Sequence, residues 1–161
     1  MEQGVYALDE LIPPRPTAGR PRAASAADEA LLVDWMGAFS REALPEEEDD
    51  EVDLRRMVAS RLGSPEGGFF LWDDGGPVSV AGFGGPTRNG IRIGPVYTPP
   101  ELRGRGYGAA VTAAASEALL RAGRQFCFLY TNLANPTSNR IYVSIGYRRV
   151  CDSRVIAFVP T

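Results

Sequence analysis

The chain contains no histidine and no lysine; all 17 of its basic residues are arginine. Without histidine, imidazole triads and histidine metal sites are excluded. Without lysine, so are the phosphate loop of ATPases and the Schiff bases of pyridoxal enzymes. Two cysteines, Cys127 and Cys151, are too few for a disulfide framework and lack ligand spacing, so no metal is expected. No apolar run approaches the roughly 18 residues of a membrane span, and the N-terminus lacks the basic, apolar, small-residue order of a secretory leader. The expectation is a cytoplasmic protein with no membrane partner.

What is present suits one globular domain: 161 residues, 44% hydrophobic and 23% charged. The net charge of −3 is unevenly placed. Seven acids lie between Glu46 and Asp53, whereas from Glu101 onward eight arginines face only Glu101, Glu117 and Asp152. An acidic front and a basic back suggest one cationic and one anionic ligand, and the overall balance speaks against nucleic acid. The acidic run itself has two readings. It is either the solvated start of a helix, whose dipole favours negative charge, or a draw for a cationic amine.

Residues 1–19 read as an N-terminal arm, a short strand in "GVYALDEL" followed by a proline-fixed linker, loosely docked. Residues 20–161 form the domain. "SAADEALLVDWMGAFSREAL" predicts a helix capped by Ser25 or Asp28, with Leu31, Leu32, Trp35, Met36 and Phe39 on one face. A second helix follows the acidic run through Val52, Met57, Val58 and Leu62. Asp-Gly, Gly-Gly and Asn-Gly turns then separate strands near 69–72, 77–84 and 90–97. A helix over about 106–122 ends at Gly123, and "QFCFLYTNL" is a buried strand over 125–132. Asn135-Pro136 opens a further helix to about Ile145, and "YRRVCDSRVIAFV" returns as one or two strands. The order predicts an α+β fold, a mixed layer of sheet and helices.

The stretch "PPELRGRGYGAAV", residues 99–111, removes side chains where a helix begins and leaves arginines beside the gap. Glycine inside a helix costs about 1 kcal/mol relative to alanine, so packing does not favour it there. Close approach of a ligand to the backbone does. A nucleotide phosphate loop fails for want of lysine. A dinucleotide fingerprint matches Gly104-x-Gly106-x-x-Ala109, but no acid follows about 20 residues on to hold a ribose. Exposed N–H groups at a helix start, with Arg103 and Arg105 adjacent, suit a pyrophosphate.

Arg103-x-x-Gly106-x-Gly108 after a strand, together with "YTNLANPTSNRIYVSIGYRRV", resembles the acetyl-CoA loop and second signature of the GNAT acetyltransferase superfamily. The resemblance implies a central, mostly antiparallel sheet flanked by about four helices, with acetyl-CoA as cosubstrate and an amine of a small molecule or peptide as acceptor. It implies that Val96, Tyr97 and Thr98 lie along the pantetheine arm, that Arg103, Gly104, Arg105, Gly106, Gly108 and Ala109 hold the pyrophosphate, and that Asn135, Ser138 and Asn139 face the coenzyme. Asn135 also reads simply as a helix cap. Tyr142 falls at the position of the family's general acid, a phenol that protonates the departing thiolate; its other reading is a buried structural hydroxyl. Tyr147 reads as packing. Strand 90–97 offers Arg92 but no carboxylate, and no general base is assigned. The rival to an N-acetyltransferase is a non-catalytic acyl-CoA-binding or regulatory domain. The arm also resembles the last strand of a preceding module in tandem acetyltransferases, docking on its own sheet or, in a homodimer, on a neighbour's.

Overall fold

The computed structural model describes residues 2–154. Their order is β1 (Glu2–Leu8), β2 (Arg20–Ala23), α1 (Glu29–Ala43), α2 (Glu51–Leu62), β3 (Gly68–Asp73), β4 (Pro77–Gly84), β5 (Gly90–Tyr97), α3 (Tyr107–Arg121), β6 (Phe126–Asn132), α4 (Pro136–Ser144) and β7 (Arg148–Arg154). The strands form one sheet in the order β2-β3-β4-β5-β6-β1-β7. Every neighbouring pair is antiparallel except β5 and β6. This is the expected α+β class.

Strand alternation divides the core between the two faces. On one face α1 and α2 bury Leu32, Trp35, Met36 and Val58 against Phe69, Leu71, Val80 and Tyr97. On the other, α3 lays Val111, Ala113, Ala115 and Leu119 over Ala81, Ile91, Ile93 and Leu129. The alanines of α3 keep that helix close to the strands, and its buried Ser116 bonds the Tyr147 hydroxyl at 2.8 Å. Tyr147 is therefore packing, as the sequence suggested.

Two expectations need correction. The N-terminal strand is present and docks on the chain's own sheet, one of the two dockings expected, but it is no loose arm: β1 runs inside the sheet, hydrogen-bonded to β6 on one edge and β7 on the other. Its residues alternate between buried and half-buried, so Gly4, Tyr6 and Leu8 all face the core. That alternation turns one face of the strand to the core and the other toward solvent. The second is β2, Arg20–Ala23, at the start of the domain, where the sequence reading placed no element. Pro21 is tolerated because β2 is an edge strand whose one neighbour is β3. Arg22 fastens it, bonding Asp73 at 2.6 Å and Asp28 at 2.8 Å. Any strand beyond Arg154 falls on residues 155–161, outside the described residues.

The segment between β1 and β2 is stitched down at three points. Ile12 N–H donates to the Ile145 carbonyl at 2.9 Å. Thr17 Oγ1 donates to the Arg105 carbonyl, and Trp72 Nε1 to the Ala18 carbonyl, each at 2.8 Å. It thus passes the end of α4 and the start of α3 before reaching the sheet edge.

Leu8 is 1% exposed and Ile12 54% exposed. Leu8→Ala should therefore lower stability by about 2–5 kcal/mol, while Ile12→Ala should change it by less than about 0.5 kcal/mol. Chemical denaturation of the two variants checks the interior placement of β1.

Candidate functional site

Strand β5 carries the site because its two edges behave differently. Toward β4 it stays paired as far as Tyr97. Toward β6 the ladder holds only Gly90↔Phe126, Ile91↔Cys127 and Arg92↔Phe128, and then the strands part. Beyond residue 92 the β6-facing edge of β5 has no ladder partner among the described residues. Val96 packs half-buried against the core, and the Tyr97 ring lies 6.1 Å from that of Trp35. Both present backbone along the parting. Thr98 differs: its carbonyl already accepts from Arg103 Nε at 2.8 Å, and its hydroxyl meets Ser79 Oγ at 2.8 Å.

The glycine turn follows directly. Gly104 and Gly106 have φ of +81° and +84°, the left-handed region open to glycine without strain. Gly106 precedes the first turn of α3, and no side chain caps that helix. The N–H groups of Gly106, Tyr107, Gly108 and Ala109 meet no acceptor among the described residues. These are the orphan donors of a helix start, concentrated where side chains are absent. A Cβ at Gly108 would find only Thr98 Oγ1, at 3.6 Å. The space above the turn is open.

The two arginines divide. Arg103 is engaged: its Nη2 pairs with Glu42 of α1 at 2.7 Å, and its guanidinium lies 5.8 Å from the Tyr97 ring centroid. Arg105 has no carboxylate partner among the described residues. Nothing in the sequence marked Glu42 or Thr17 as neighbours of the turn, because each contact spans more than 60 residues.

On α4, Asn135 is the helix cap, its Oδ1 accepting from Ser138 N at 3.2 Å. Ser138 is half-buried. Asn139 Nδ2 donates to the Asn132 carbonyl at 3.4 Å, leaving its Oδ1 buried with no partner among the described residues. A buried acceptor without a donor costs free energy unless a ligand supplies one. Tyr142 stands edge-on to Tyr147 at 6.2 Å. Burial pushes its phenol up to about 12. Its hydroxyl makes no hydrogen bond among the described residues. Burial likewise pushes the Cys127 thiol up to about 12, so it is a core residue and a poor nucleophile.

The acidic run is partly spent on α2. Asp50 caps it by accepting from Val52 N, Glu51 pairs with Arg55, and Asp53 reaches Arg56. Glu47, Glu48 and Asp49 instead line a groove of about 540 Å³ with Arg41 and Leu54. At the far end of α2, Arg61 Nη1 donates to the Gly94 carbonyl at 2.6 Å, just where β5 has left β6. Its position at a helix C-terminus gave no hint of this reach, since arginine there is ordinarily a dipole partner.

A helix start with free N–H groups thus stands beside a parted pair of strands, on a seven-stranded sheet covered by helices on both faces. Residues 87–156 match the family model FR47-like protein. No curated protein matches the chain. Among solved structures, one described as a GNAT-family acetyltransferase from Novosphingobium aromaticivorans aligns with a TM-score of 0.67 at 21% identity, covering 94% of this chain and 60% of that one. A structure described as an acetyltransferase from Agrobacterium tumefaciens aligns at 0.63 and 26% identity, over 78% and 90%. The aminoglycoside N-acetyltransferase AAC(6')-Iy in complex with CoA aligns at 0.67 and 14% identity, over 92% and 99%. The chain spans only 55–60% of the length of three of the matched structures. Its fold is that of the GNAT superfamily. No helix among the described residues is long and apolar enough to cross a membrane.

Gly106→Ala should cost about 1–2 kcal/mol through its left-handed φ. Gly108→Ala, at a helical φ with room for the methyl, should leave stability unchanged or raised by up to about 1 kcal/mol. Thermal melts of the two variants check this, and Gly108→Ala then reads ligand approach free of folding effects.

Proposed function

We propose that the chain is an acetyl-CoA-dependent N-acetyltransferase acting on an amine by direct attack. The observation that carries this reading is the unpaired edge of β5 running into four unbonded N–H groups at the start of α3. An extended thioester ligand with a pyrophosphate needs both, in that order.

In this reading the N–H groups of Gly106 to Ala109 receive the pyrophosphate, with Gly104 and Gly106 shaping the turn. Arg105, which has no carboxylate partner among the described residues, supplies a guanidinium beside the turn. Arg103 acts by fixing the turn to α1 through Glu42. Backbone groups of Val96 and Tyr97 pair with the amides of the pantetheine arm, and Asn139 Oδ1 accepts from the same ligand. Ser138 stands one turn from the Asn135 cap, within the same helix start. Bound acetyl-CoA supplies the acetyl group as a thioester whose leaving group is a thiolate. Tyr142 holds the proton for that thiolate: a phenol displaced upward by burial stays protonated throughout the neutral range. The acceptor is an amine, taken up from the face of the sheet that carries α1 and α2.

One observation favours the second reading, a domain that binds acyl-CoA without turning it over. Strand β5 carries Arg92 on its exposed face, and no carboxylate stands on it to take the proton of the amine. Thiol release from acetyl-CoA in the presence of an amine panel separates the two.

Tyr142→Phe should lower kcat by about 10²–10⁴-fold with coenzyme affinity held. Its melting temperature should stay within a degree or two, because the hydroxyl bonds nothing among the described residues. With its phenol near 12, deprotonation sets in only as pH rises toward that value, so kcat should show no alkaline fall below about pH 10. Retained turnover in Tyr142→Phe would remove it from the mechanism.

Arg105→Ala should weaken acetyl-CoA by about 1.5–3 kcal/mol, the worth of a charge-assisted hydrogen bond, and dephospho-CoA equally. Arg103→Ala should weaken it less and lose stability with it, since that arginine is already paired. Calorimetry on both variants with both ligands decides the assignment.

A further inference from the structure

On the face of the sheet that carries α2, two arginines stand beside the parting of β5 and β6 without any carboxylate partner among the described residues. Arg61 reaches in from the last turn of α2. Its guanidinium lies over β4, where a Cβ at Gly82 would come within 2.7 Å of Nη1, so bare backbone makes the room it occupies. It stacks 5.7 Å from the Phe69 ring centroid and spends one donor on the Gly94 carbonyl. Arg92 projects from β5 on the same side, because Ile91 and Ile93 on either side of it point into the α3 core. It lies 4.6 Å from the Tyr130 ring centroid. Burial, and then the like charge of Arg92, hold the Arg61 guanidinium below its ordinary value. Like charge does not favour the half-buried Arg61 beside Arg92, and neither takes part in an ion pair among the described residues, whereas eight of the other arginines do. An anion placed between the two relieves both the repulsion and the unused donors.

We propose that the acceptor amine carries a carboxylate, received by Arg61 and Arg92 beside the parting of β5 and β6. This rests on the acetyl-transfer reading, in which the thioester lies along that parting. The carboxylate fits the planar fork of a guanidinium in two-point fashion, and an aromatic ring behind each cation fixes its plane. The amine end of the same molecule then points along the parting toward the thioester. The class of acceptor is thus an amino acid or a peptide-like amino acid, in place of the cationic amine that the acidic run suggested. Arg61 and Arg92 are specificity-determining residues.

The test uses the full chain, acetyl-CoA and a matched series: unbranched ω-amino acids of about two to six methylenes, their primary carboxamides, and diamines of the same lengths. Thiol release gives kcat and KM, and calorimetry gives binding of the amino acids to the CoA-loaded protein. The acids should exceed their carboxamides by about 10-fold or more in kcat/KM. Arg92→Gln should raise KM for the best acid by a similar factor, with kcat and the carboxamide unchanged, and Arg92→Lys should recover most of the loss. Arg61→Gln should do the same; if its lost bond to Gly94 unfolds it, the exposed Arg92 still carries the test. Binding of an acid that Arg92→Gln abolishes, without any thiol release, would uphold the carboxylate site while overturning acetyl transfer. Equal use of acid and carboxamide, a preference for diamines, or equal losses for acid and carboxamide in the variants would overturn the carboxylate site while leaving acetyl transfer intact. Neither binding nor turnover of any acid would overturn it as well.

Discussion

The parting of β5 from β6 after three paired residues is the constraint on which the rest depends. A strand pair in mid-sheet that stops pairing leaves backbone donors and acceptors needing partners, and such groups are costly when buried. The molecule holds the gap open from both sides. β4 keeps its ladder with β5 up to Tyr97, Arg61 ties the Gly94 carbonyl to α2, and β1 keeps β6 paired from Cys127 to Asn132. With neither strand free to close on the other, the unpaired edge is available for a ligand with amides of its own.

The turn into α3 extends the same logic. Its glycines leave the helix start uncovered, yet the surrounding loop is well anchored: Arg103 to Thr98 and Glu42, Thr17 to the Arg105 carbonyl. Rigid support around bare backbone is what preorganised recognition of an anion requires. The arginine that fixes the loop and the one without a carboxylate partner among the described residues are near neighbours in the chain, and only the structure tells them apart.

Much of this was legible in the sequence. β4 and β5 lie at 77–84 and 90–97 as read, because Gly-Gly and Asn-Gly turns punctuate both ends. The glycine turn, the Asn135 cap and the position of Tyr142 were legible as well, since each depends on residues near in the chain. What could not be read were the contacts set by tertiary placement. Pro21 in β2 is compatible with a strand only once the edge position is known. Glu42 and Arg61 look like ordinary members of their helices until the sheet brings Arg103 and Gly94 to them. The interior position of β1 depends on two partners more than a hundred residues away.

That last separation also orders events in time. β1 leaves the ribosome before either strand it pairs with, and Gln3 must wait for Asn132 and Ser153 before its ladder can form. Until then the two flanks of its slot, β6 and β7, have no strand between them. Contacts between such distant residues are the ones that slow folding most, because a long loop must close before they contribute. Strands β3, β4 and β5 pair as sequential hairpins, whereas β6 meets β1 only across more than a hundred residues of chain. The opening in the sheet is therefore framed on one side by local pairings and on the other by pairings between the two ends of the described chain.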